Sequence, residues 1–297
     1  MDEPLSTYGC QAVIEGVMMR GRKTCAVAVR APDQTIQIEM QPLGSLYQSR
    51  LAQTPFIRGL FVLWDSLVLG MRALTFSANM QTEEDEQLDG FALTLSLLFS
   101  LVIGVGLFFL LPTGVAYLFE RFLNLTPIWS TIAEGLVRLL LLIVYIWLIG
   151  YVPDIRRVYG YHGAEHKTIN AFEAGAPLDV DNIQSFPKEH ARCGTAFLLT
   201  VVIFSILLFS VIGPLPLIPR LASRILFLPL LASLAYEYIR FSSKLLRFRW
   251  MKPLVAPNLW LQRLTTREPD IEMIEVALSA FTAMRAKERA VVDDGVR

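Results

Sequence analysis

Two histidines one helical turn apart, His162 and His166, lie in the stretch YHGAEHKTINAFEAG, with Glu165 directly ahead of the second. At about 100° per residue on a helix, both imidazoles point the same way, and two imidazoles so spaced bind one divalent metal without distortion. Glu173 returns to within about 20° of His162 by the same arithmetic, and Asn170 lies near that stripe. Gly163 and Ala164 are small, which lets another element come close. The order H-x-x-E-H matches the inverted zincin pattern, in which the glutamate activates a water held at the metal.

A second pair follows. His190 and Cys193 are spaced H-x-x-C, and two short ligand pairs separated by a loop are a common way to build a zinc site. The chain has 3 histidines, and all of them fall between 162 and 190. Scattered surface histidines would not cluster in this way. The set predicts one metal ion, with zinc favoured by its preference for His and Cys. If His162, His166, His190 and Cys193 all ligate, the site is closed and structural. If three ligate, the fourth position is left for water, and Glu165 is placed to take its proton.

The elements that must position these residues are membrane helices. Hydrophobic residues make up 54% and charged residues 18% of 297 residues, too apolar for an ordinary soluble domain. Four stretches approach the ~20 residues needed to cross a bilayer: Phe91 to Leu111, Ile132 to Val152, Ala196 to Ile212 and about Leu221 to Tyr238. Glu134 and Arg138 lie within the second, one turn apart. Lys and Arg number 7 in residues 1–90, 5 in 152–193 and 10 in 242–297, and they are sparse in the two intervening hairpins. An even number of crossings puts the three basic segments on one side, which the charge bias makes the cytoplasm. The termini and the His/Cys loop then share a reducing compartment, where Cys193 stays a free thiol. The 3 cysteines show no disulfide framework, and the first dozen residues lack a signal peptide. A net charge of +0 excludes the whole chain as an electrostatic partner of nucleic acid.

The predicted fold is therefore a mainly α integral membrane protein with four transmembrane helices. Residues 1–50 form a cytoplasmic region with a β hairpin, from TCAVAVR and TIQIEM around a Pro-Asp turn, preceded by a glycine-rich loop, GCQAVIEGVMMRG. Residues 51–90 hold an amphipathic interfacial helix with Arg58, Asp65 and Arg72 as its polar stripe, then the acidic linker QTEEDEQLDG. Residues 91–241 are the membrane domain, with the His/Cys loop at 153–195. Residues 242–297 end in an amphipathic helix starting near Glu268-Pro269, with Ile271, Ile274, Leu278 and Phe281 on one face. Glu15 and Glu237 are further candidates for the site, Glu237 because the cytoplasmic end of its span could face the metal loop.

Four motifs, GCQAVIEGVMMRG, YHGAEHKTINAFE, HARCGTAF and WLQRLTTREPDIEMIEVAL, together resemble the YqhQ-like family of bacterial membrane proteins, described as predicted metal-dependent enzymes. The resemblance covers nearly the whole chain. It implicates His162, Glu165, His166, His190 and Cys193, with Glu15, Arg20, Thr266, Glu268 and Asp270 in the flanking signatures. Cys10 and Arg22 depart from the family pattern, where glycine and proline are expected, and neither is among the predicted ligands. The functional expectation is a zinc-dependent hydrolase at the cytoplasmic membrane surface, acting on a membrane-embedded or membrane-delivered substrate. The rival is an assembly or biogenesis factor for other membrane proteins, stapled by a structural zinc. Transport would need oligomerisation and lacks paired helix breaks with charges at mid-membrane.

Overall fold

The glycine-rich stretch at 9–21 forms two strands, β1 (Gly9–Val13) and β2 (Gly16–Arg20), in place of the expected loop. They continue into β3 (Thr24–Arg30) and β4 (Ile36–Pro42) as a four-stranded antiparallel meander. Ile14 and Glu15 make the first turn, with Glu15 at φ 50°, and Val13 pairs with Gly16. The missed strands have a physical explanation. Both faces of the sheet are covered, so β2 is buried along its whole length and shows no polar alternation.

The chain is seen in a computed structural model that describes residues 8–43, 54–82, 90–190, 193–213, 215–245 and 252–294. Most of the expected acidic linker, residues 83–89, lies outside these. The helices are α1 (Ile57–Gln81), α2 (Gly90–Val105), α3 (Leu111–Leu123), α4 (Pro127–Ile149), α5 (Pro153–Glu173), α6 (Val180–Gln184), α7 (Thr195–Ile212), α8 (Leu217–Leu226), α9 (Leu228–Leu245), α10 (Lys252–Thr265) and α11 (Ile271–Asp294). The sheet is the middle layer of three. Val17, Met19, Ala26 and Ala28 pack on α5 and α11 through Tyr161, Ile274, Ala277 and Phe281. The alternate residues Val13, Met18, Cys25, Val27 and Val29 pack on Leu69 and Ala73 of α1.

Four helical stretches are long and apolar enough to cross a membrane: Ile57–Gln81, Leu98–Leu123, Ile128–Ile149 and Thr195–Ile212. A fifth candidate is the pair α8 and α9, bent by 45°. Two corrections to the expected spans follow. The first runs past Leu111, because a π turn at Gly106–Leu110 joins α2 to α3 without ending the helix. The fourth, expected as one helix from 221 to 238, breaks at Phe227, where Pro229 has no N–H for the carbonyl four residues back. The expected interfacial helix, α1, is itself long and apolar enough to span.

The expected polar stripe of α1 divides. Arg58 pairs with Glu237 on α9, Asp65 is buried against Arg20 of β2 at 2.6 Å, and Arg72 is exposed. Glu237 also accepts from the Phe56 N–H. It therefore ties α1 to α9 and does not face the His/Cys loop. The i,i+4 pair Glu134–Arg138 on α4, at 2.8 Å, gains two further cations from α8: Arg224 at 2.7 Å and Arg220 at 3.2 Å from the Glu134 carboxylate. Arg138 also reaches the carbonyl of Phe108 in the π turn (2.9 Å) and Ser205 of α7 (2.7 Å). One buried carboxylate thus connects α4 and α8, and Arg138 extends the network to the π turn and α7.

The buried pair Arg20–Asp65 predicts a specific loss. Asp65→Ala strands a buried guanidinium and should lower stability by about 3–5 kcal/mol. A joint replacement, Arg20→Met with Asp65→Leu, should recover most of it. Thermal unfolding of the detergent-purified variants measures both.

Candidate metal centre

Helix α5 starts with Pro153 in its first turn after the extended Val152, a favourable entry for a helix. From Tyr159 to Ala171 it is nearly all buried, although Glu165, His166, Lys167 and Thr168 follow one another there. Such a run is stable only if each polar group finds a partner. For Lys167, Thr168 and the His166 Nδ1 the partners include backbone carbonyls. Lys167 Nζ donates to the carbonyls of Gln184 and Phe186, both at 2.8 Å, and pairs with Glu268 at 2.5 Å. Asn170 donates to the carbonyls of Pro187 (2.7 Å) and Glu189 (3.0 Å). These bonds hold the 174–190 loop down on α5, the return that the spacing of the two ligand pairs requires.

Both ring systems of the H-x-x-E-H pair are held the same way. His162 Nδ1 lies 2.9 Å from the Thr265 carbonyl, and His166 Nδ1 lies 2.6 Å from the Lys188 carbonyl. A carbonyl only accepts, so each Nδ1 carries a proton, and a ring in its neutral form keeps its lone pair at Nε2. Burial pushes the His166 imidazole below its ordinary value, which keeps it neutral. Its Nε2 is buried with no hydrogen-bond partner. His162 Nε2 faces the Cys193 sulfur at 3.2 Å. The three donor atoms of His162, His166 and Cys193 lie within 4.8 Å of one another, close enough to bind one metal ion. Backbone carbonyls on the far nitrogens are the usual outer shell of metal-binding histidines.

The other sequence candidates fall around this trio. His190 stands outside it. Its Nε2 lies 3.3 Å from the Glu173 carboxylate, although its ring is 5.8 Å from that of His166. Glu173 thus serves His190, not the stripe of His162. Glu15 is bound by Arg157 and by the Tyr161 hydroxyl at 3.1 Å, away from the trio. Glu165 is adjacent to the trio, with Oε1 4.0 Å from His166 Nε2, while its Oε2 is buried without a partner. Burial pushes its carboxyl up to about 7, against the opposing pull of His162 and a hydrogen bond from Cys10. Cys10, one of the two departures from the family pattern, therefore does reach the site.

Several supporting residues gave no metal-ligand signal in the sequence. Gln262, on the unforeseen helix α10, is 0% exposed and clamps the His190 backbone, accepting its N–H and donating to its carbonyl, each at 2.9 Å. That clamp places Cys193 three residues on. Helix α10 is itself seated by Leu261 and Leu264 between α4 and α7. Gly163 allows the expected close approach: the Arg267 carbonyl and Pro269 lie against it, where any Cβ would clash. Thr266, Glu268 and Asp270 have structural duties, bonding to Gln262, pairing with Lys167 and capping α11, which begins at Ile271. Ile271 is exposed, unlike Ile274 and Phe281 on the expected face. A weak signal for the segment was available in the proline near the start of α10 and its leucines at helical spacing.

A family model described as "Protein of unknown function (DUF1385)" matches residues 54–287. The chain is also 32% identical over 292 residues to "Uncharacterized protein YqhQ" of Bacillus subtilis (strain 168), a match spanning 93% of this chain and 92% of that relative. No solved structure matches it.

Two outcomes follow from this geometry. Gln262→Ala removes the acceptor of the His190 N–H and one of two donors to the His190 carbonyl, which keeps the Cys193 N–H at 3.3 Å, and should cost about 1–3 kcal/mol, read as a lower unfolding temperature. Glu165 ionises near the ordinary carboxyl value of 4.5 when unfolded and at about 7 when folded, so folding retains its proton. In chelator-treated protein the stability contributed by Glu165 should be fully present below pH 4.5 and lost as pH rises through 7, by about 3 kcal/mol in all, read as the difference between wild type and Glu165→Gln. Glu165→Gln should flatten that slope in unfolding measurements across the same range.

Proposed function

Because the chain belongs to the DUF1385 family, whose description names no activity, we propose a function from the site itself. The reading is a metal-dependent enzyme, with zinc as the ion and hydrolysis as the reaction class, working at the cytoplasmic face of the bacterial plasma membrane. The observation that carries it is the convergence of two Nε2 lone pairs and one thiol, with both Nδ1 atoms held by carbonyls.

The residues fit the ion. Two neutral imidazoles and a thiolate form a donor set that zinc favours, and three protein ligands leave a coordination position for water or substrate. A bound zinc would supply Lewis acidity, making water a nucleophile at neutral pH. Glu165 would take the proton at its carboxylate, the nearby oxygen that the protein leaves unpartnered. His190, engaged by Glu173, favours this open three-ligand site over the closed structural knot of the rival reading.

Membrane topology follows from parity. The sheet packs directly on α5 and α11, so all three share one side. The chain between them must then cross an even number of times. The stretch at Leu98–Leu123, α4, α7 and the bent pair α8–α9 supply four crossings. Helix α1 is the non-crossing one. Its Asp65, Leu69, Ala73 and Ser77 stripe is buried, and Leu69 and Ala73 lie on the sheet. Phe56, Leu60, Trp64 and Leu67 remain exposed, as on an interfacial helix. The excess of Lys and Arg assigns the shared side to the cytoplasm.

Metal analysis of the purified protein tests the centre. Wild type should bring one zinc per chain, and its cobalt-substituted form should show a sulfur-to-metal charge-transfer absorption. His162→Ala and Cys193→Ser should lose the stoichiometric metal, whereas His190→Ala and Glu165→Gln keep it. Glu165→Gln should still fail to replace the wild-type gene in cells. A well-folded preparation that never takes up metal would sink the proposal. Full function of Glu165→Gln would remove the proton-transfer role.

A further inference from the structure

Beside the trio lies a cavity of about 500 Å³ lined by five cations: Arg156, Arg157, Lys188, Arg263 and Arg267. Its size falls within the usual range for small-molecule sites. Its polar character differs from that of the apolar groove between α3 and α8, whose lining carries no charge. Pairing accounts for some of the charge. Glu15 neutralises Arg157, and Glu189 lies 3.2 Å from Arg263. Of the two acids in the lining, Glu268 is committed to Lys167 at 2.5 Å, and Asp270 accepts the Met273 N–H at 2.8 Å as the cap of α11.

Three cations are left with little to balance them. The Arg156 side chain has no hydrogen-bond or ion-pair partner among the described residues. The Arg267 side chain makes one long bond, 3.4 Å, to the Gly150 carbonyl. Lys188 Nζ is 3.8 Å from a Glu268 already engaged by Lys167. Guanidinium and ammonium groups gathered around a polar cavity match a phosphate group, which arginine binds through two parallel N–H bonds.

Two further facts connect the cavity to the metal centre and the membrane. Lys188 lines the cavity, and its carbonyl orients His166. Thr266 and Arg267 line it, and the neighbouring Thr265 carbonyl orients His162. The segments that hold the two imidazoles are thus the wall between the sites. Arg156 and Arg157 sit in the first turns of α5, just after the end of α4, and Arg267 reaches back to Gly150 there. If α4 crosses the bilayer, this is the level of the lipid headgroups.

We infer that this cavity binds a phosphate-bearing anion and holds it against the metal centre, so that the substrate class is a phosphate-containing molecule delivered from the membrane surface. The substrate role rests on the reading of the trio as a metal centre. The binding of the anion does not.

Calorimetric titration of the full-length, detergent-purified protein tests this, with metal content measured on the same samples. The probes are inorganic phosphate and a short-chain phosphatidylglycerol. Both should bind, more weakly as salt rises. Arg156→Ala with Arg267→Ala should weaken binding by about tenfold or more, and Lys188→Ala, an independent variant on the third cation, should also weaken it. Both variants should keep their metal. Arg289→Ala, an exposed cation on α11, should change nothing. Tighter binding of the lipid than of inorganic phosphate assigns a lipid headgroup, while equal affinities assign a free phosphate group of the same chemistry. Absence of binding by metal-loaded wild type, or binding that survives loss of the cavity cations, overturns the inference and leaves the metal centre standing. Anion binding by a protein that takes up no metal keeps the cavity and overturns the proposed chemistry.

Discussion

A histidine that is 2% exposed has two ring nitrogens to satisfy, and no water to do it. That requirement at His166, shared by its buried neighbours Lys167 and Thr168, organises the part of this protein built on α5, α11 and the sheet. Protein backbone supplies the answer. The loop after α5 folds back so that its carbonyls meet Lys167, Asn170 and His166, and the end of α10 brings the Thr265 carbonyl to His162. Because carbonyls claim the Nδ1 protons, the Nε2 lone pairs turn inward, and the thiol of Cys193 meets them. Satisfying a buried polar helix and preparing a set of metal donors are here the same act.

The membrane-domain helices and the sheet provide the frame. Ends of α4 and α7 fix both sides of the His/Cys loop, and α10 wedges between those helices through Leu261 and Leu264. Fixing both ends limits the chain entropy lost on closing the loop. The sheet covers the opposite side of α5 through β1 and β2, bringing Cys10 to Glu165. The N-terminal sheet also packs directly on the C-terminal helix, so the two ends of the described chain meet in one body.

Charge is handled differently in the two halves. In the helical domain, three arginines converge on Glu134, and their remaining nitrogens bond to Glu120, to hydroxyls and to a π-turn carbonyl. That network links α4, α8 and α7. Around α5 the arginines are incompletely matched and face a cavity. A guanidinium whose three nitrogens all have partners serves the fold, whereas one facing open space is available to a ligand.

The apolar runs, the basic bias of three segments and the spacing of His162, Glu165 and His166 were legible in the sequence because they depend on periodicity and composition alone. They determined the mainly helical class, the candidate spans after residue 90 and the helix that carries the site. The membership of the trio was not legible. His190 and Cys193 are equally close in sequence, yet Gln262, more than seventy positions away, sets the chain path that sends one to Glu173 and the other to the imidazoles. The first two strands were hidden for a related reason. A sheet covered on both faces loses its alternation, and only the packing partners, α1 on one side and α5 with α11 on the other, make it a sheet. Local pattern settles which residues form a helix. Which side chains then share a proton or a metal ion is decided by partners distant in the chain, and only the tertiary structure places those.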